Sequence, residues 1–305
     1  MADTAVLQNQ IAIPKKKKSV FQILILIFLI LYVCAIFTPF IWGFITSLKD
    51  RNQFLDSKLF GLPEKWRWDN YLTVLEHFKV DYTSASKKLT FSFILMMRNS
   101  VVYSVVATTT STTVLYLTSY ACSMYRYKWS TIMEVFCLFS MSMPIFGALP
   151  SSIMVFKFLG LYESFFGIAV VIHTGWTSMY FFVVEASIRS IPKAYVEAAS
   201  IDGANNLQIL LRVMFPLTIN IYSTMWIITF IGNWNSYTNI YLYLKSFPTA
   251  AYGLWRFDND YSGDVSGVWF KLAAGYLIVI PVMIVFIFFH KQLMNGISLS
   301  EGVKE

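Results

Sequence analysis

The sequence predicts an all-α polytopic membrane protein with six transmembrane helices. Long stretches without a single charged residue recur along its 305 residues. Hydrophobic residues make up 56% of the chain and charged residues 13%, whereas a typical soluble domain is about a quarter charged. The mean hydropathy is +0.56. The uncharged runs do not alternate as the short strands of a membrane barrel would. Backbone groups inside lipid must be satisfied within each segment, which selects helices.

A span needs about 20 apolar residues. Val20 to Leu48 is uncharged and gives the first helix; Asn99 to Tyr125 gives the second. Trp129 to Phe156 is apolar apart from Glu134, and gives a third helix that Pro144, Gly147 and Pro150 bend, either as a gate or for packing. Ser164 to Val184 is the fourth span. Val213 to Leu244 is the fifth and exceeds the length needed. Leu272 to Phe289 is the sixth, with Lys271 placed to snorkel at its start.

Six spans put both termini on one side. Lys15 to Lys18, directly before the first helix, place that side in the cytoplasm. Arg126 and Lys128 in the second connection agree. The predicted organisation is a basic cytoplasmic tail over 1–19, a membrane domain over 20–289 and a cytoplasmic tail over 290–305. Within the membrane domain, 49–98 is an extracytoplasmic connection and 189–212 a cytoplasmic elbow. The aromatic-rich connections Lys49–Arg98 and Lys245–Lys271 read as ordered caps. The net charge of +7 fits a cytoplasmic membrane surface rather than nucleic acid, because no basic stripe crosses a polar fold.

The polar insert "EAASIDGANNLQILLRVMFP", Glu197 to Pro216, interrupts this pattern. Ser190 suits a helix cap and Pro192 a first turn. Lys193 to Asp202 reads as a short helix, Gly203 as a sharp break, and Asn205 as the start of a helix running into the fifth span. Ala198 and Ala199 allow close approach of another surface, and Glu197 sets a charge at its edge. From these residues alone, an ordinary solvated loop fits equally well.

Three cysteines, Cys34, Cys122 and Cys137, form neither a disulfide framework nor a zinc site and read as small buried hydrophobes. His77, His173 and His290 lack metal-ligand spacing; His173 fits a buried, hydrogen-bonded histidine better than a relay. No catalytic triad spacing is readable, and the chain contains no G-x-x-x-x-G-K-[ST] phosphate loop. No catalytic or metal site is assigned, and the chain is not expected to be an enzyme. Trp234, Asn235 and Tyr237 fit either a sugar pathway, through aromatic faces and amide groups, or an interfacial aromatic belt.

The insert has the spacing Glu-Ala-Ala, three residues, Gly, nine residues, then apolar-x-apolar-Pro: Glu197, Ala198, Ala199, Gly203, Val213, Phe215, Pro216. It resembles the cytoplasmic EAA signature loop of ABC importer permeases, with Val213 and Phe215 in place of the usual Ile and Leu. "RSIPKAY" and "SIDGA" resemble it too. "RNSVVYSVVATTTSTTVLYLTSYACS", Arg98 to Ser123, resembles the start of that family's shared core. "LGLYESFFGIAVV", "NWNSYTNIYLYL" and "FHKQLMNGISLSEGVKE" resemble its sugar-importing branch, in the order found in the shorter permease of maltose-type importers. Glu185 stands where that branch often has a basic residue, which affects a local surface contact.

The resemblance implies a type I importer permease in a bacterial cell membrane, carrying oligosaccharides. Its partners would be a second, homologous permease subunit, an ATPase dimer and an extracytoplasmic solute-binding protein. ATP and Mg would bind the ATPase, with no cofactor in this chain. Pro192, Glu197, Ala198, Ala199, Asp202 and Gly203 would form the coupling element. The alternatives are a permease for a non-sugar solute and an ATP-independent secondary transporter. The latter needs an acidic ion-coupling site and inverted repeats, of which the spans show little.

Overall fold

In the computed structural model, the described residues are 20–55, 61–84, 87–125, 127–143, 147–171, 178–260 and 267–298. Lys15–Lys18, Arg126, Pro144 and His173 lie outside them. The chain divides into two compact units, Met1–Arg67 and Trp68–Glu305.

In the first unit, α1 spans Val20–Ser47 and α2 spans Arg51–Leu55. Apart from its last turns, α1 exposes large apolar side chains on every side. A helix apolar all round belongs in lipid or against another protein. Pro39 lies inside it, and the Thr38 hydroxyl bonds back to the Cys34 carbonyl at 2.8 Å. Asp50 receives the Gln53 amide at 2.9 Å and starts α2.

The second unit begins with α3 (Asp69–His77), followed by an antiparallel hairpin of β1 (Lys79–Ser84) and β2 (Lys87–Ser92). Its register pairs Lys79 with Ser92 and Val80 with Phe91. The hairpin was not expected in an all-α chain. Thr90 donates to Asp81 at 2.6 Å, and with Lys88 it holds that carboxyl below its ordinary range. The hairpin feeds directly into α4 (Phe93–Met124), which covers the second predicted span.

The third predicted span is split, as its prolines and glycine suggest, into α5 (Lys128–Ser142) and α6 (Ala148–Phe158). Gly147 before α6 has φ of 74°. Pro150 falls in the first turn of α6, where a missing N–H costs nothing. The fourth span contains a wide π-helical turn at Gly167–Val171 and then α7, Met179–Arg189. The elbow helix α8 (Ala194–Ile201) leads to α9, Asn206–Asn235. Two short helices follow, α10 (Thr238–Tyr243) and α11 (Ala250–Asp260), before α12, Val268–Ser298. Among the described residues, α1, α4, α9 and α12 are each long and apolar enough to cross a membrane.

One expectation about span ends is corrected. The fifth span stops at Asn235, where Ser236 leaves helical geometry with ψ of 105°; Thr238 to Tyr243 belong to a separate helix. At the start of the sixth span, the Lys271 ammonium lies 2.7 Å from the exposed Asp258 carboxylate at the end of α11. Cysteine burial also differs from expectation at one site, since Cys34 is exposed while Cys122 and Cys137 are buried.

A polar seam joins α4 to α9. Asn233 donates to Thr108 at 3.1 Å, Trp226 to Thr109 at 3.2 Å, and Tyr116 pairs with Thr218 at 2.7 Å. Each such bond in lipid contributes about 0.6 kcal/mol, so the seam mainly fixes register. The pairings run antiparallel, with the hairpin at one end of α4 and the elbow at the other. Separate apolar clusters fill these ends. Phe78, Met96, Trp234 and Phe257 belong to the hairpin-end cluster, and Tyr116, Phe181, Ile188 and Met214 to the elbow-end cluster.

Gly253 of α11 allows the hairpin-end packing. A Cβ there would lie 2.7 Å from Phe78 Cε1 and 2.8 Å from Met96 Sδ. Both neighbours are fully buried. Gly253→Leu is therefore expected to lower stability by about 1–3 kcal/mol through overpacking, read as a fall in thermal unfolding temperature in detergent.

Candidate functional site

The elbow is built from local signals. Ser190 does not cap α8, which corrects the expectation; its hydroxyl bonds back to the Ser187 carbonyl at 2.7 Å and closes α7. Lys193 precedes α8, and Glu197 lies in its first turn, where the helix dipole favours a negative charge. The far end closes as a Schellman turn. Gly203 has φ of 82°, its amide reaches the Ser200 carbonyl at 3.1 Å, and the Ala204 amide reaches the Ala199 carbonyl at 3.0 Å. That left-handed conformation costs other residues about 1–2 kcal/mol.

Asn205 then starts α9 with a capping box. The Gln208 amide donates to Asn205 Oδ1 at 2.9 Å, and the Asn205 amide donates to Gln208 Oε1 at 2.9 Å. Asn205→Ala is expected to lower stability by about 1 kcal/mol, measurable as a small downward shift of the thermal midpoint. A π-helical turn at Ile209–Met214 follows. The ring of Pro216 would crowd the Arg212 carbonyl in a regular helix, and the wider turn relieves it. Phe215 packs edge-on to Tyr116, with centroids 5.6 Å apart.

One face of this elbow is anchored. Ile191, Val196, Ala199 and Ala204 pack on the elbow-end cluster. The opposite face is open: Glu197, Ala198, Asp202 and Gly203 are exposed, with Tyr195 at 53%, Ile201 at 87% and Leu207 at 63%. Of the predicted coupling residues, Ala199 thus turns partly inward and Pro192 is exposed just before α8. Sequence reasoning misses Tyr195, Ile201 and Leu207, although Ile201 and Leu207 each stand between polar neighbours.

Glu185 lies behind the elbow and is buried, so the expectation of a surface contact is corrected. It pairs with Arg189 at 2.7 Å, which also holds Glu134 at 2.8 Å. Glu134 thus faces protein.

The three predicted pathway residues are not brought together. Trp234 is 2% exposed; its indole N–H donates to the Ile278 carbonyl at 3.3 Å, in the packing between α9 and α12. Asn235 is exposed. Tyr237 is exposed and stacks on Trp255, with centroids 5.7 Å apart and planes at 9°. Trp255 also meets Tyr241 at 4.8 Å and Tyr252 at 6.1 Å. This aromatic group spans two connecting helices, which hid it in the sequence. Glu163 braces the same region: at φ of 57°, its carboxylate receives the Lys245 and Ser246 amides at 3.2 and 3.0 Å. Among the described residues, no group of three His, Cys, Asp or Glu side chains is placed to hold a metal ion.

A family model described as "Binding-protein-dependent transport system inner membrane component" matches residues 114–298. This match takes in the elbow, α9 and α12. The chain belongs to this family. It is therefore a membrane component of a transport system. Its similarity to individual members runs nearly end to end. The inner membrane ABC transporter permease protein YcjP of Escherichia coli (strain K12) is 26% identical over 283 residues, covering 90% of this chain and 94% of that protein. The sn-glycerol-3-phosphate transport system permease protein UgpE of Pectobacterium atrosepticum is 23% identical, covering 90% and 95%.

The fold agrees with that family. A chain of a bacterial ABC transporter involved in the import of the acidic polysaccharide alginate superposes with a TM-score of 0.72 at 22% identity, covering 89% of this chain and 96% of that one. A chain of a bacterial alginate ABC transporter in complex with an alginate pentasaccharide-bound periplasmic protein gives 0.58 at 15% identity, covering 88% of this chain and 92% of that one. The importer-permease fold expected from the sequence is the fold found.

Proposed function

We propose that this chain is one permease subunit of an ATP-driven importer of oligosaccharides in a bacterial cell membrane, coupled through α8 and Gly203 to a separate ATPase. The observation that carries the reading is the elbow, which is anchored on one face and exposes Tyr195, Ile201 and Leu207 on the other. Exposed large apolar side chains on a rigid turn suit a protein partner. In this reading Pro192, Glu197, Ala198, Ala199, Asp202 and Gly203 shape the docking element, and both termini lie on its cytoplasmic side. A second, homologous permease subunit completes the path, an ATPase dimer binds ATP and Mg, and a solute-binding protein delivers the cargo.

The bilayer excludes polyols because each hydroxyl is costly to desolvate, so helices must alternate the exposure of a path. ATP must then favour one arrangement differentially. The alginate importer supports a glycan cargo. The exposed Asn235, and Tyr237 beside Trp255, are the pathway candidates; Trp234 supports them from within the packing. The glycerol-3-phosphate relatives favour a second reading, a phosphorylated polyol.

Co-purification of the complex and measurement of ATP hydrolysis with solute-binding protein tests the reading. Binding protein loaded with oligosaccharide is expected to stimulate hydrolysis. Stimulation only by glycerol-3-phosphate supports the second reading. No response to any glycan, with uptake of another solute, defeats the sugar assignment.

A further inference from the structure

Arg189 ends α7, the helix that enters the elbow. Its Nη2 lies 2.7 Å from Glu185 Oε1 on the same helix and 2.8 Å from Glu134 Oε1 on α5. One guanidinium thus serves two carboxylates. The three side chains differ in exposure: Glu185 5%, Glu134 26% and Arg189 43%. We propose that Arg189 is a positioning residue, a latch between the elbow's lead-in helix and the first half of the broken third span. This rests on the coupling role of the elbow.

The geometry sets which contact is able to open. The Glu185 contact lies within one helix at i,i+4 and travels with α7 in any rigid movement. The Glu134 contact crosses between helices separated by 55 residues of chain, so a shift of α7 against α5 breaks it. A buried carboxylate stripped of its partner is strongly destabilising; Glu185 Oε1 is buried without a hydrogen bond, and its ion pair with Arg189, made within one helix, is kept in both arrangements. Glu134 is more exposed, so water takes over its solvation on release. The latch therefore opens without leaving an unpaired buried charge. Ile191 follows Arg189 by two residues and packs on the elbow-end cluster, which ties the latch mechanically to α8. Ser123 fixes the same turn from α4, donating to the Glu185 carbonyl at 3.2 Å.

The test uses the assembled transporter in lipid nanodiscs, with hydrolysis measured without and with loaded solute-binding protein. Glu134→Gln removes the cross-helix charge and is expected to raise unstimulated hydrolysis about fivefold, lowering the stimulation ratio. Glu134→Asp, which keeps the charge but shortens the reach, is expected to shift the ratio the same way and less. Glu185→Gln leaves Arg189 with Glu134 alone and is expected to lower stimulated hydrolysis, the opposite sense. A purely structural role moves the variants together with stability and leaves the ratio unchanged. That result, or failure of both Glu134 variants to assemble, overturns the latch. If Gly203→Trp also leaves uptake normal, the coupling reading itself fails; if Gly203→Trp blocks uptake while Glu134→Gln leaves the ratio unchanged, only the latch fails.

Discussion

Gly203→Trp is expected to reduce uptake by about tenfold or more while the transporter still assembles, a loss equivalent to about 1.4 kcal/mol or more of coupling free energy. The physical reason lies outside the core. No heavy atom lies within 4 Å of a Cβ built on Gly203, so the substitution causes no internal clash. It costs backbone strain at φ of 82° and sets a large ring on the exposed face beside Asp202. Gly203→Asn is the informative companion, because asparagine tolerates the left-handed region and adds little bulk. It is expected to keep most of the uptake. Radiolabelled uptake in cells, with complex abundance measured in parallel, checks both. Normal uptake by assembled Gly203→Trp complexes contradicts the coupling role.

Trp234→Ala is expected to cost about 3–5 kcal/mol of stability. The ring fills the hairpin-end cluster beside Phe230, with centroids 5.8 Å apart, and its loss leaves the Ile278 carbonyl without the indole donor. Asn235→Ala and Tyr237→Ala, at exposed positions, are expected to change stability by about 0.5 kcal/mol or less and to alter uptake instead. Thermal unfolding of purified complexes separates the two classes. Equal destabilisation by all three variants would contradict this division of roles.

The contrast between Trp234 and its neighbours shows where sequence reading stops. Over Phe215–Asn235 of α9, apolar residues recur on every side and small polar residues are scattered among them, so no amphipathic stripe reveals which face packs inward. Uncharged runs mark that a helix lies in lipid and leave its rotation open. The breaks were more legible, because Gly147, Pro150 and Gly203 act through backbone conformation, which is local. The capping role of Asn205 was also readable as a helix start, since its partner Gln208 is three residues away. Ser190 is ambiguous in the sequence because a serine between two helices closes one as readily as it opens the other.

Longer-range features were hidden. The hairpin Lys79–Ser92 is a two-strand element that needs external packing to persist, and Val80 obtains it in the hairpin-end cluster. The Lys271–Asp258 pair joins residues 13 apart across a connection. Arg189 and Glu134 meet across 55 residues of chain, a separation that no local pattern reveals. The exposed apolar side chains of the elbow were visible as residue types, but Tyr195 and Val196 are adjacent in sequence and only the fold shows which faces outward.

Reconstitution into proteoliposomes tests the central claim most directly. Vesicles containing this chain, its partner permease and the ATPase, supplied with oligosaccharide-loaded solute-binding protein, are predicted to accumulate the glycan only when ATP is present on the elbow side. Glycan accumulation by vesicles holding this chain without an ATPase would contradict the account.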